Sequence, residues 1–155
     1  MKRLLAVVPM IFVVACAGTY QPPKAIAPES SLLFQNSKIA VFKAAQQVLI
    51  AEGYQITNAN EASGTISTAR RALQLTPEQA DCGRCSHGLK YVEDKRASIW
   101  VGLAVIVEEG KLTVKANIQG EYKESGGQNI TFPCVSRGSL EKSLMEKIVM
   151  AASSK

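Results

Sequence analysis

Hydrophobic and polar positions change period several times along this chain, and each change marks an element. Residues 4–14 form an almost unbroken apolar run of about eleven residues. That is too short for the ~20 residues of a membrane-spanning helix. Residues 17–35 lose all period. Their segments Tyr20-Gln21-Pro22-Pro23-Lys24 and Ala27-Pro28-Glu29-Ser30-Ser31 suit a linker rather than the interior of a helix or sheet. From Ser37 the pattern turns helical: Ile39, Phe42, Ala45 and Leu49 recur at three and four residues. Asn36 or Ser37 supplies an N-cap oxygen and Gly53 a stop, so a helix is expected over residues 37–52.

The period then becomes two. Residues 54–57 and 64–68 predict two short strands around the turn-forming residues 58–63. A long middle segment, residues 70–96, follows. Within it Thr76-Pro77-Glu78-Gln79 predicts a one-turn helix, with a capping threonine and proline at the first helical position. The strongest alternation comes next. Ile99, Val101, Leu103, Val105 and Val107 share one face, and Trp100, Gly102, Ala104 and Ile106 the other. Glu108-Glu109-Gly110-Lys111 is a tight turn. After it Leu112, Val114, Ala116, Ile118, Gly120 and Tyr122 alternate with Thr113, Lys115, Asn117, Gln119 and Glu121, as in a half-buried strand. A Gly-rich loop at 124–129 precedes a short return strand at 130–132. Leu140, Leu144, Ile148 and Ala151 predict a last helix over 139–152, with Ser139 as cap. The expected fold class is α+β: an antiparallel sheet of about four strands with two helices on one face, in the order αββ-loop-ββα. Thr113, Lys115, Asn117, Gln119 and Glu121, with Trp100, Ile106 and Ala104, would occupy the other face.

The beginning of the chain adds an address. Lys2 and Arg3 precede the apolar run, and Val13-Val14-Ala15-Cys16 is followed by small Ala17 and Gly18. This resembles the lipobox of a bacterial lipoprotein signal peptide. The resemblance implies cleavage between Ala15 and Cys16, acylation of Cys16 by diacylglycerol and palmitate-type chains, and firm membrane anchoring. With Ala17 rather than aspartate after the cysteine, it implies the outer membrane, with the domain facing the periplasm. The expected organisation is a signal peptide at 1–15, a lipidated cysteine and flexible tether at 16–35, and one globular domain at 36–155. Loss of Lys2 and Arg3 lowers the formal charge from +5 to +3, too little to argue for nucleic acid. The helix closing in Val48-Leu49 and Gly53-Tyr54-Gln55-Ile56, then Gly64-Thr65-Ile66-Ser67-Thr68 and a long hairpin, resembles the helix-grip domains of a lipoprotein subunit, the C component of the outer-membrane β-barrel assembly machinery. That resemblance implies a fold and supplies no site residues.

Cys82, Cys85 and Cys134 remain once Cys16 is acylated. An oxidising envelope favours disulfides, and three thiols leave one over. A bridge from Cys134 to Cys82 or Cys85 is expected, and the Asp81-Cys82-Gly83 turn favours Cys82. A local Cys82–Cys85 bridge is the alternative. Cys82-Gly83-Arg84-Cys85 also has the spacing of a redox dithiol, though Ser86-His87-Gly88 makes a poor helix start. Ser86 separates Cys85 from His87, which breaks the haem-attachment pattern. Cys82, Cys85, His87 and Cys134 form a zinc-type ligand set of low stringency. His87 reads more simply as a solvated loop residue, and no metal or cofactor is expected. No nucleophile–base or phosphate-loop motif occurs. The expected function is therefore non-catalytic: a structural or adaptor module for other envelope proteins. A carrier of an apolar or amphiphilic ligand, with room left by Ala45, Ala116 and Gly120, and a thiol-redox protein using Cys82 and Cys85 are the alternatives.

Overall fold

The computed structural model describes residues 20–24, 30–84, 88, 90–123 and 129–154. Cys16, Cys85, His87 and the signal segment lie outside the described residues. The elements run β1 (Ser31–Leu33), α1 (Lys38–Ala51), β2 (Ile56–Asn60), β3 (Thr65–Thr68), β4 (Arg71–Ala72), β5 (Ala80–Asp81), β6 (Ala97–Glu108), β7 (Lys111–Lys123), β8 (Asn129–Ser136) and α2 (Ser139–Ser153). A 3-10 turn at Tyr91–Glu93 precedes β6.

Among the described residues the sheet has eight strands, which corrects the expected four. Its order is β2-β3-β6-β7-β8-β5, with β1 added to β7 and β4 to β6. The β6–β7 hairpin is the spine: Glu108 pairs with Lys111 and Ala97 with Tyr122 in one unbroken register. The extra strands attach to its two sides. β1 and β8 lie end to end along β7, pairing Leu32 with Leu112 and Phe132 with Gly120. β3 and β4 lie end to end along β6, pairing Ile66 with Val105 and Arg71 with Val101. Between them the Leu103 amide donates to the Thr68 hydroxyl at 2.9 Å, so the interruption leaves that amide satisfied.

The return strand extends to Ser136, beyond the expected 130–132, through Pro133. The Pro133 carbonyl accepts from the Tyr20 hydroxyl rather than from β7. The amide that proline lacks points the same way, so the β7 ladder loses nothing. The Thr76–Gln79 segment is a turn rather than a helix. Its capping pattern is nonetheless real: the Thr76 amide donates to Gln79 Oε1 at 2.9 Å.

Helix α1 begins after Ser37, whose hydroxyl accepts from the Ala40 amide, and Gly53 closes it at φ 80°. Helix α2 begins differently from the expectation. Gly138 rather than Ser139 is its N-cap residue, and it makes no side-chain cap. Buried Glu141 instead accepts from Ser136 Oγ at 2.7 Å and from the Ala116 amide at 3.3 Å, tying the first turn to β7 and β8. The two helices pack side by side over one sheet face. Leu49, Ile148, Ile66, Val101, Val105, Val107, Leu112 and Val114 are fully buried between the layers. Each such side chain contributes about 1.5–3 kcal/mol relative to exposure. No helix among the described residues is long and apolar enough to cross a membrane.

Candidate functional site

Two regions of this framework carry candidate chemistry. The first is a loop stapled over the helix-side face. Cys82 and Cys134 are joined by a disulfide, at a sequence separation of 52. Cys134 stands on β8 opposite Ile118, whose side chain faces the core. The bridge therefore holds the middle segment over the half of this face that the helices leave. There Leu75, Ala80 and Cys82 are buried, and Tyr91 and Val92 pack against the core. Tyr91 lies 4.7 Å from the Phe132 ring and edge-on to Tyr122 at 5.6 Å, while Arg96 stacks over Tyr122. Sulfurs in a disulfide supply no thiolate to a metal. Among the described residues no group of three or more metal-ligating side chains occurs.

Part of the segment read as a tether is bound to this loop. Gln21 and Arg84 exchange backbone hydrogen bonds at 2.9 and 3.0 Å. The Lys24 amide donates to Asp81 Oδ2. The Tyr20 ring rests against Tyr91 and Phe132. Gly83 makes the approach possible: it sits at φ 78°, and a Cβ there would fall 2.3 Å from the Gln21 carbonyl oxygen. Further along, β1 pairs with β7 and buries Phe34 behind it. The cue to this docking was Tyr20 itself, an aromatic among linker residues.

Burial, then Tyr91 and Asp81 nearby, raises the Tyr20 phenol above its usual value, and burial likewise raises Tyr54. A raised folded-state value means that the unfolded chain gives up these protons first as pH rises. Their stabilisation is therefore complete below the unfolded phenol value of about 10 and is lost as pH climbs through the folded values. We expect tyrosinate absorbance to develop late in the folded protein. Tyr20→Phe and Tyr54→Phe should each remove one late-titrating phenol; early titration of both would contradict their burial.

The second region is the sheet face that the helices leave bare. Register places Leu33, Thr65, Trp100, Ala104, Ile106, Thr113, Lys115, Asn117 and Gln119 on it. Leu33 is 78% exposed. Arg70, at the interruption between β3 and β4, lies across this face. It passes over Gly102, where a Cβ would come within 3.3 Å of its Cγ, and its guanidinium donates to Gln119 Oε1. The absence of a side chain on Gly102 is what leaves that path open. Trp100 lies beside Gln119, and its indole N–H has no acceptor among the described residues. Near the hairpin turn, Ser31, Ile106, Glu108, Lys111, Thr113 and Lys115 line a shallow cavity of about 200 Å³. The face thus offers an aromatic, aliphatic side chains and cations on a rigid sheet. The β7 alternation announced it, but nothing local announced the reach of Arg70. On the opposite side, the room expected beside Gly120 is filled by the Phe132 ring.

No protein-family model matches the chain, and no curated protein does. Among solved structures it is similar to a TBP-like protein from Parabacteroides distasonis, at 14% identity and a TM-score of 0.45, over 68% of this chain and 64% of that one. The likeness is distant.

Proposed function

We propose that this chain is a lipid-anchored envelope lipoprotein and that its uncovered sheet face binds another envelope protein without catalysis. The observation that supports this reading is that face: Leu33, Ile106 and Trp100 set among Arg70, Lys111 and Lys115, opposite a face already filled by helices and loop. Apolar anchors ringed by charge are the composition of a recognition surface. The lipobox-like segment around Cys16 supplies the anchor. Acyl chains there hold the domain at the outer membrane, facing the periplasm.

A photo-crosslinking amino acid at Asn117, in the middle of the face, should give one discrete adduct in intact cells. The same group at Lys43, on the exposed side of α1, should give none. Combining Arg70→Glu with Lys115→Glu should weaken the adduct by about tenfold or more, because like charges in an interface are strongly disfavoured. An Asn117 position that captures nothing would overturn the binding role. Intact mass of the native protein tests the anchor separately, since the mature chain should begin at an acylated Cys16.

A further inference from the structure

The docked segment sets a distance. Only Ala17, Gly18 and Thr19 separate Cys16 from Tyr20. Four residue steps span at most about 14 Å. A freely extended tether of eighteen or so residues would span ~50 Å. Because Tyr20, Gln21 and Lys24 are held on the stapled loop, the chain has no slack beyond those few residues. An acylated Cys16 therefore brings this one side of the domain to the bilayer.

The surface beside the docked segment is basic. Gln21, Lys24, Asp81, Gly83, Arg84 and Arg137 border one open cavity of about 360 Å³. Lys24 and Arg84 are exposed, and the Arg137 side chain is 48% exposed while pairing with Asp81 at 3.7 Å. Three cations thus line the cavity with one carboxylate, and Glu78 lies near enough to Arg137 for the two charges to attract. An anionic leaflet attracts such residues within a Debye length of about 8 Å, which the short connection allows them to reach.

We propose that the Lys24–Arg84–Arg137 surface docks on the phosphate headgroups of the anchoring leaflet, fixing the domain's orientation. The proposal rests on the lipid anchor proposed above. Held this way, the stapled loop lies at the membrane. The domain does not roam on a long leash.

The test is acetylation footprinting of the purified native protein in nanodiscs, read lysine by lysine by mass spectrometry. Lys115, on the bare sheet face, is the internal reference. Passing from phosphatidylcholine to phosphatidylglycerol-containing discs should lower the Lys24-to-Lys115 labelling ratio by about fivefold or more, the effect of roughly one basic residue at an anionic surface. Arg84→Glu should abolish that drop. An unchanged ratio in protein whose Cys16 mass shows the acyl chains would overturn the docking and leave the anchor intact. A Cys16 without acyl chains would overturn both.

Discussion

Replacing Cys82 and Cys134 together by alanine should lower the unfolding free energy by about 4 kcal/mol, the loop-closure value for a bridge of this span. The separation is 52 residues, and the loop so closed runs through the β6–β7 hairpin into β8. The bridge fastens to β8 the middle segment, residues 70–96, which has little regular structure of its own. That middle segment holds β4 and β5, two residues each, and the three-residue turn at Tyr91–Glu93 before β6 begins. Its grip on the sheet is mostly apolar, through Leu75, Ala80, Tyr91 and Val92. With a slope of about 2 kcal/mol per molar urea, the midpoint should fall by roughly 2 M. The double substitution avoids leaving Cys82 free to pair with Cys85. Docking of Tyr20 should be lost in the same variant, because Gly83 and Arg84 adjoin the bridge. A shift under about 1 kcal/mol would mean that packing alone holds the loop, and that the bridge adds little to the chain-entropy account.

The middle segment also shows where sequence reading ran out. The β6–β7 hairpin was legible because a dozen alternating residues on each side of Gly110 leave one register. Helices α1 and α2 were legible from their stripes. β1, β4 and β5 have two or three residues each, too few to display a period. Their pairing is imposed by the long strands beside them, as where Leu32 meets Leu112. Asn58, Ala59 and Asn60 have turn chemistry, yet they extend β2. At the sheet's edge they face water and need no apolar alternation. β8 continues past residue 132 through Pro133, and only tertiary structure shows which way the missing amide points. The bare face follows from the parity of β7. Arg70 reaches it through an irregularity between two short strands, which no periodicity encodes. Pro22 and Pro23 spell a linker, and only the Tyr20 ring and the special conformation of Gly83 make it a docked segment.

Gly120→Ala should destabilise the protein by about 2–3 kcal/mol, as overpacking of a tight core does. This reverses the usual sign. Alanine for glycine in an unstrained position ordinarily stabilises by about 0.4–1 kcal/mol, through the unfolded chain. Gly120 is not among the positive-φ glycines, so its backbone would accept alanine. The obstacle is the Phe132 ring, which pairs across the strands with Gly120 and lies over it. A Cβ would stand 2.0 Å from the ring's Cε2. Aromatics cover strand glycines in this way elsewhere in β-structure. The ring has little freedom to withdraw, because it is 3% exposed and has Tyr91 and Tyr20 against it. A double-mutant cycle isolates the cause. In a Phe132→Leu background the smaller side chain can yield, so Gly120→Ala should cost less than about 1 kcal/mol and the two changes should be far from additive. Strict additivity would show that the ring does not occupy the space above Gly120. The loop-side layer of Tyr20, Tyr91 and Phe132 would then have to be assembled differently.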